Sequence, residues 1–360
     1  MTTSVYIHIP FCKQKCNYCS FVSFASPEKI ELYTEKLNEE IKHYYNGEVL
    51  KTLYLGGGTP SLLSSEQVNK IISNFNISSD AEITMELNPE KITKKYLKEL
   101  KNTGINRLSI GCQSFDENIL KAIGRKHSPN DVEFVIKKAQ DIGFNNISLD
   151  FIYGLPAQTK ESFINDLNRA KNLDIQHISL YGLKIEEGCY FYKNPPQNLS
   201  DEDLQAEMYL DAIKTLSDFE HYEISNFAKK GFHSKHNLTY WNNENYYGFG
   251  ISAHGYENNI RYSNKNTLED YFKNPLEKNS QNTLTKQEQL EEEIFLGFRR
   301  MSGLNTNSIN QKFNINFEKK YKNILEKFLK SQHIKKTSNG YALTIDGVLV
   351  SNLILSEFLE

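Results

Sequence analysis

The sequence predicts an α/β protein, a partial (β/α)6 barrel followed by a C-terminal extension and a small helical, winged-helix-like domain. In the first half, short apolar and β-branched runs alternate with amphipathic helical segments. Such alternation is typical of a parallel sheet with helical crossovers. After about residue 185 the alternation stops, and from residue 284 the chain becomes charged and helical. We therefore expect three parts, a core at 1–185, an extension packed on it at 186–283 and a small domain at 284–360.

Six strands and five helices are expected in the core. The strands are predicted at residues 4–8, 52–55, 81–87, 107–111, 146–152 and 177–184. Apolar residues recur at helical spacing between them, which predicts helices at 27–45, 65–74 (capped by Ser65), 93–103, 131–141 and 159–172. Barrels of this kind build their sites at the carboxyl ends of the strands, so we expect the functional residues there.

In the rest of the chain, the sequence predicts one long helix, an irregular stretch and the small domain. Residues 201–219 have helical spacing, whereas 223–261 are rich in aromatic residues, His, Asn and Gly and are expected to be irregular. Helices are predicted at 284–300, 308–314 and 317–330, then a hairpin around Asn339-Gly340, and a last helix capped by Asp346. We expect this domain to serve packing and partner contacts rather than DNA binding, because it has no strong basic excess.

Composition and charge exclude several classes of function. The chain is 39% hydrophobic and 24% charged, which is ordinary for a globular protein. Its 42 basic and 45 acidic residues give a net charge of −3, so no nucleic-acid partner is expected. No apolar run is long enough to span a membrane, and MTTSVYIHIPFC lacks the features of a signal peptide. These observations predict a cytoplasmic protein without an integral membrane segment.

Three of the five cysteines lie within eight residues, at Cys12, Cys16 and Cys19. An odd number of cysteines with this spacing indicates a metal site rather than a disulfide framework. Thiolates suit iron–sulfur clusters and zinc. Three ligands would leave one iron of a four-iron cluster open to an amine and a carboxylate, whereas structural zinc usually takes four ligands. A zinc loop completed by His8 or a distant histidine is the alternative.

The C-x3-C-x2-C loop after a first strand resembles that of the radical S-adenosylmethionine (SAM) superfamily. The resemblance implies a [4Fe-4S] cluster on the three cysteines, with SAM on its open iron. The aromatic residue before the last cysteine, the glycine loop YLGGGTP and the polar residues at later strand ends also fit the family pattern. The residues expected to bind SAM are Tyr6, Tyr18, Gly57, Gly58, Thr59, Glu86, Gln113, Arg125 and Asp150.

Longer motifs narrow the resemblance to the HemN/HemW group, which comprises oxygen-independent coproporphyrinogen III dehydrogenases and heme chaperones. These motifs include YIHIPFC, GINRLSIGCQSF, DFIYGLPAQT and GFGISAHGY, and the likeness extends from Tyr6 to the C-terminus. The dehydrogenases have a fourth cysteine where this chain has Phe21. HNLTYW matches the H-N-x-x-Y-W motif of the chaperones, which implies heme binding by His236, Asn237, Tyr240 and Trp241. Imidazole can ligate heme iron and aromatic faces can pack on a porphyrin, although ordinary packing is the alternative role.

The sequence thus predicts a cytoplasmic heme chaperone of the HemW type that binds a [4Fe-4S] cluster, SAM and heme. Its expected partners are heme or another porphyrin and client hemoproteins, and a homodimer is one assembly to test. The main alternative is an oxygen-independent coproporphyrinogen III dehydrogenase, followed by another radical SAM reaction on a tetrapyrrole and by a structural zinc protein. Whether the chain is an enzyme stays open: we expect a radical SAM site without true coproporphyrinogen III oxidase activity. Cys112 and Cys189 are expected to be buried packing residues.

Overall fold

The structure, a computed structural model, describes residues 2–359 and is built on a parallel sheet. Its first six strands lie side by side in chain order. They are β1 (Ser4–Ile9), β2 (Leu50–Gly57), β3 (Ile77–Leu87), β4 (Arg107–Gln113), β5 (Ile147–Tyr153) and β6 (His177–Gly182). All six were predicted, with ends that differ by a few residues.

Helices connect these strands, as a parallel sheet requires. They are α1 (Ile30–Tyr44), α2 (Ser65–Ile72), α3 (Lys94–Asn102), α4 (Glu117–Ala122), α5 (Pro129–Ile142) and α6 (Lys160–Lys171), with 3-10 turns at Pro27–Lys29 and Pro60–Leu62. Ser64, not the predicted Ser65, caps α2, because its side chain accepts the N–H of Gln67 in a capping box. Helix α4 was not predicted; Asp116 caps it by accepting the N–H groups of Asn118 and Ile119.

The two faces of the sheet differ in chemistry. Val5, Ile7 and Ile9 alternate along β1 and are fully buried in the main apolar core. Successive side chains of a strand point to opposite faces, so the intervening positions face the barrel interior. On strands β2 to β6, many of the corresponding interior positions are polar yet buried: Thr52, Glu82, Thr84, Arg107, Ser109, Ser148, His177 and Ser179. The barrel interior is therefore a buried polar layer that leads toward the strand ends.

The extension adds strands at both edges of this sheet. Its elements are α7 (Tyr190–Lys193), α8 (Glu202–Thr215), β7 (Glu220–Glu223), β8 (Asn226–Ala228), α9 (Lys235–Trp241), β9 (Tyr247–Phe249), β10 (His254–Glu257), β11 (Ile260–Asn264), α10 (Leu268–Lys273) and β12 (Lys278–Thr283). Strand β9 pairs parallel with β1, whereas β8 pairs antiparallel with β6 and β7 with β8. Within residues 2–359 no pairing of β7 with β9 closes this nine-stranded sheet. Strands β10 to β12 form a separate antiparallel sheet.

The expectation that residues 223–261 are irregular is wrong. Part or all of five short strands and helix α9 lie there. Distant contacts stabilise α9: Glu82 on β3 accepts the backbone N–H groups of Lys235 and His236 at the start of the helix. A negative charge at a helix N-terminus is favourable. Since Glu82 lies about 150 residues away in sequence, spacing within the segment could not indicate this helix.

The C-terminal part has its own apolar core, which includes Phe298, Phe317 and Phe358. Its elements are α11 (Lys286–Arg299), β13 (Leu304–Asn305), α12 (Thr306–Phe313), α13 (Phe317–Lys320), α14 (Lys322–Lys330), β14 (Ile334–Lys336), β15 (Gly340–Leu343), α15 (Ile345–Leu349) and α16 (Ser351–Ser356). Thr344, rather than the predicted Asp346, caps α15 by accepting the N–H of Gly347.

The predicted fold class is confirmed, a partial α/β barrel with an extension and a small helical domain that carries a β-hairpin. The proposed boundaries at 185 and 283 stay predictions. In the part of the chain that the structure describes, every helix is too short or too polar to cross a bilayer.

Candidate functional site

A cavity of about 720 Å³ opens at the carboxyl ends of strands β1 to β6. All predicted cluster and SAM residues except Tyr6 line it: Cys12, Cys16, Tyr18, Cys19, Gly57, Gly58, Thr59, Glu86, Gln113, Arg125 and Asp150. Most of them lie at or just after one of five different strands, as the strand-end argument predicted, whereas Arg125 follows helix α4. The volume is typical of a site for a small molecule or cofactor.

The loop with the three cysteines follows β1 and is held by its own backbone. The N–H of Cys12 donates to the carbonyl of Phe24 at 3.1 Å, and the N–H of Cys19 donates to that of Cys16 at 3.2 Å. All five cysteines are free thiols, and Cys112 and Cys189 are buried away from the cavity lining, as expected. Within residues 2–359 no three His, Cys, Asp or Glu side chains converge as ligands of one metal ion. Three soft thiols that line one cavity are suitable ligands for an iron–sulfur cluster.

Two neighbouring groups act on these thiols. The Thr59 hydroxyl lies 3.4 Å from Sγ of Cys12, and Nη1 of Arg125 lies 3.8 Å from Sγ of Cys16. Arg125 is fixed by a second bond, 2.7 Å from its Nη2 to the carbonyl of Gly111. Burial raises the pKa of Cys12, and it raises the pKa of Cys19 to about 11. These two thiols are therefore protonated at neutral pH until a metal displaces the protons.

The glycine run after β2 is required by close packing. Gly57 has a φ of +111°, and a Cβ there would lie 2.5 Å from the ring of His8. A Cβ on Gly58 would lie 2.7 Å from the carbonyl oxygen of Phe11. The N–H of Gly57 donates to Glu86 at 3.0 Å. The glycines thus bring the cysteine loop, β2 and the carboxylate on β3 together.

Two carboxylates face the cavity from β3 and β5, the strands on either side of β4. Glu86 accepts hydrogen bonds from the Tyr54 hydroxyl at 2.9 Å and from Gly57, and burial raises its pKa to about 7. Asp150 accepts from Ser109 at 2.9 Å and from Ser148 at 3.3 Å, and burial raises its pKa as well. Both can accept hydrogen bonds from a ligand's hydroxyl or amine groups.

Gln113 at the end of β4 has a φ of +67°, in the left-handed region that residues other than glycine rarely adopt. Such strain is often found at functional sites, and here it accompanies the register shift between β4 and β5. Sequence analysis missed other residues of the cavity wall, notably Tyr54, Asn88 and Tyr181. Tyr54 and Tyr181 lie on predicted strands near their carboxyl ends, which was the signal available for finding them.

Tyr6 is not among the residues that line the cavity, and its assignment to SAM stays a prediction. Its hydroxyl bonds Nδ1 of His8 at 3.0 Å, and its ring stacks on Tyr54 with centroids 6.1 Å apart. Because side chains alternate along β1, Tyr6 faces the barrel interior, where its ring packs against that of Tyr54.

His236 of the HNLTYW motif is also an interior residue, with 1% of its surface exposed. Its Nδ1 shares a hydrogen bond with the Thr52 hydroxyl and its Nε2 with the Tyr240 hydroxyl, both at 2.8 Å. Its ring stacks on Tyr54 with centroids 5.0 Å apart. Burial lowers its pKa to about 3, so the imidazole is neutral. A buried ring with both nitrogens bonded does not fit a heme iron ligand in this arrangement.

The other residues of the motif, Asn237, Tyr240 and Trp241, are half-buried on α9. The Arg299 guanidinium lies 4.3 Å from the centre of the Trp241 ring and covers one of its faces. The buried indole N–H has no hydrogen-bond partner among the described residues. Heme binding by these three residues stays a prediction.

Comparisons with known proteins agree with this architecture. The model of the radical SAM superfamily matches residues 6–170, and that of the HemN C-terminal domain matches residues 284–350. E. coli coproporphyrinogen III oxidase (HemN), a radical SAM enzyme, has the same fold, with a TM-score of 0.87 and 23% identity over 99% of this chain and 90% of its own.

Curated relatives match between 70% and 99% of the chain. Heme chaperone HemW of Bacillus subtilis is 37% identical, over 99% of each chain. That of Lactococcus lactis is 36% identical, over 99% of this chain and 97% of its own. The E. coli HemW is 38% identical over 70% of this chain and 69% of its own. The chain therefore belongs to the HemW family of heme chaperones, within the radical SAM superfamily.

Proposed function

We propose that the protein holds a [4Fe-4S] cluster on Cys12, Cys16 and Cys19, binds SAM beside it, and carries heme to client hemoproteins in the cytoplasm. The observation that supports the cofactor site is that residues distant in sequence meet around one cavity, in a pattern that matches the superfamily. The whole-length relatives support the chaperone role. Five free thiols are consistent with a reducing compartment. The homodimer stays a prediction.

The cluster would supply an open iron for the amine and carboxylate of SAM and an electron for its cleavage. The chain's own residues would adjust that site. The Thr59 hydroxyl can donate to the Cys12 sulfur, and the positive charge of Arg125 lies beside the Cys16 sulfur. Hydrogen bonds and charges near the sulfurs set the properties of iron–sulfur sites.

The two carboxylates would position SAM. We assign Glu86 to the ribose hydroxyls, because it is already fixed by Tyr54 and Gly57 and retains lone pairs toward the cavity. Asp150, fixed by Ser109 and Ser148, offers a second acceptor on the neighbouring wall. Tyr18 and Gln113 would complete the pocket, while Gly57 and Gly58 would shape its floor.

One experiment separates this function from the dehydrogenase alternative, which is supported by the HemN-like fold. The anaerobically reconstituted protein is given hemin and then an apo-hemoprotein, and heme transfer is followed by absorbance. In parallel it is given coproporphyrinogen III, SAM and a reductant, and the products are measured. We expect hemin binding and transfer without protoporphyrinogen. Efficient formation of protoporphyrinogen without heme transfer would assign the chain to the dehydrogenases instead.

A further inference from the structure

The mouth of the cavity carries exposed aromatic and lysine side chains that binding of the cluster and SAM does not require. Phe21, directly after the cysteine loop, is 65% exposed, and Tyr181, near the end of β6, is 46% exposed. Both line the same cavity. Exposed aromatic side chains that line a cavity can pack against a flat ligand. These two aromatic residues offer flat faces to a ligand that enters the cavity from solvent.

The same mouth is rich in lysine. Five lysines line the cavity: Lys13, Lys15, Lys91, Lys126 and Lys184. Lys13 pairs with Glu90 at 3.5 Å, and Lys15 donates to the carbonyl of Gly188 at 3.2 Å. The other three are exposed, and within residues 2–359 none of their ammonium groups has a hydrogen-bond or ion-pair partner.

SAM does not account for these cations. It carries one carboxylate and a positive sulfonium, so three additional ammonium groups would not favour it. A flat apolar ligand with more than one carboxylate would use both features of the mouth: ring contacts with the aromatic residues and ion pairs with the lysines. Heme is such a ligand. The buried ring of His236, with both nitrogens bonded, offers no competing iron site.

We propose that heme binds at the cavity mouth, with its ring against Phe21 and Tyr181 and its two carboxylates toward Lys91, Lys126 and Lys184. This inference rests on the proposed heme-chaperone function and places the ligand at one end of the cavity rather than on helix α9. Heme bound there covers the opening above the cysteine loop.

The test measures hemin affinity by the Soret absorbance of the reconstituted full-length protein. Phe21→Ala and Tyr181→Ala are each expected to weaken hemin binding about 10-fold, through lost aromatic contact. The matched control is Phe134→Ala, a 45% exposed aromatic residue on α5 that does not line the cavity.

The lysines are tested as a set. The triple variant Lys91→Glu, Lys126→Glu and Lys184→Glu is compared with the triple variant Lys29→Glu, Lys98→Glu and Lys335→Glu. The control changes net charge equally at exposed positions outside the cavity lining. We expect the first set to weaken hemin binding at least 10-fold and the control set to leave it within about 2-fold. Hemin dimethyl ester, which lacks the free carboxylates, should bind wild type and the first triple variant within about 2-fold of each other.

Failure of this inference and failure of the proposed function give different results. If the wild type binds no hemin, both are wrong. If it binds hemin and the mouth variants bind it equally well, the inference alone is overturned. Loss of transfer with hemin affinity retained also overturns it, since the mouth would then contact the client protein. Melting temperature and iron content, measured for every variant, show whether each protein is folded and loaded.

Discussion

Replacing His236 with alanine is expected to weaken SAM binding and to leave the intrinsic affinity for heme nearly unchanged. The imidazole is bonded to Thr52 and Tyr240 and stacks on Tyr54, whose hydroxyl donates to Glu86. His236 therefore acts on the cavity through Tyr54, as a positioning residue. This expectation reverses the assignment of His236 to heme that the HNLTYW motif implies.

The size of the effect follows from the contacts that the substitution removes. Two buried hydrogen bonds contribute about 2 kcal/mol and the aromatic contact about 1 kcal/mol, so the folded state should lose about 3 kcal/mol. Tyr54 would then hold Glu86 less firmly. If that weakening costs about 1 kcal/mol of ligand binding, the dissociation constant of SAM rises about 5-fold.

The assay combines thermal unfolding with titrations of SAM and hemin, both corrected for the folded fraction. His221→Ala is the matched control, because His221 stacks on Phe227 at 4.3 Å and bonds the Tyr209 hydroxyl but does not line or support the cavity. The His221→Ala variant should have a lower melting temperature and an unchanged SAM affinity.

The double variant His236→Ala with Tyr54→Phe should bind SAM no more weakly than the worse single variant, because both substitutions act through one hydrogen bond. A hemin affinity at least 10-fold lower in His236→Ala, with SAM affinity unchanged, would refute the reasoning and restore His236 as a heme ligand.

Three further outcomes are expected. Burial raises the pKa of Glu86 to about 7, so this carboxyl loses its proton as pH increases from 6 to 8, and SAM affinity should rise. Titrations of the Glu86→Gln variant over the same pH range should show a smaller rise in SAM affinity. Replacing the three loop cysteines by serine should abolish iron binding, measured by iron analysis and visible absorbance, whereas Cys112→Ser should retain it. Gly57→Val places a side chain against the ring of His8 at a φ of +111°, so it should lower both the melting temperature and the SAM affinity. The control is Gly143→Ala, at a glycine with no atom near its Cβ position, and it should leave SAM affinity unchanged.

The parallel sheet could be predicted from sequence because its signals are local. Each strand is a short apolar run, and features such as the glycine run after β2 mark where a strand ends. The residues that line the cavity follow from the same logic, since carboxyl ends of parallel strands share one edge. The contacts of an interior side chain depend on the neighbouring strand: Tyr6 on β1 packs its ring on Tyr54 of β2, with which it is in register.

The HNLTYW segment could not be placed from sequence for a different reason. Its helix is seven residues long, and an isolated helix of that length is unstable in water. It forms because Glu82 accepts its first N–H groups and Thr52 bonds His236, and both partners lie on distant strands. A motif of polar and aromatic residues suggests a ligand site when these partners are unknown. With the partners in place, its histidine belongs to the barrel interior.

The same interior connects to both carboxylates of the cavity. On one side His236 supports Tyr54, which holds Glu86; on the other, His177 bonds the Ser148 hydroxyl at 2.8 Å, and Ser148 donates to Asp150. Burial lowers the pKa of both histidines, and the charge of the buried Arg107 lowers it further, so each is neutral at physiological pH. A neutral imidazole can satisfy two hydroxyl partners without placing a second buried cation near Arg107. Because each carboxylate is fixed from inside the barrel, substitutions deep in the barrel should alter ligand binding at the strand ends.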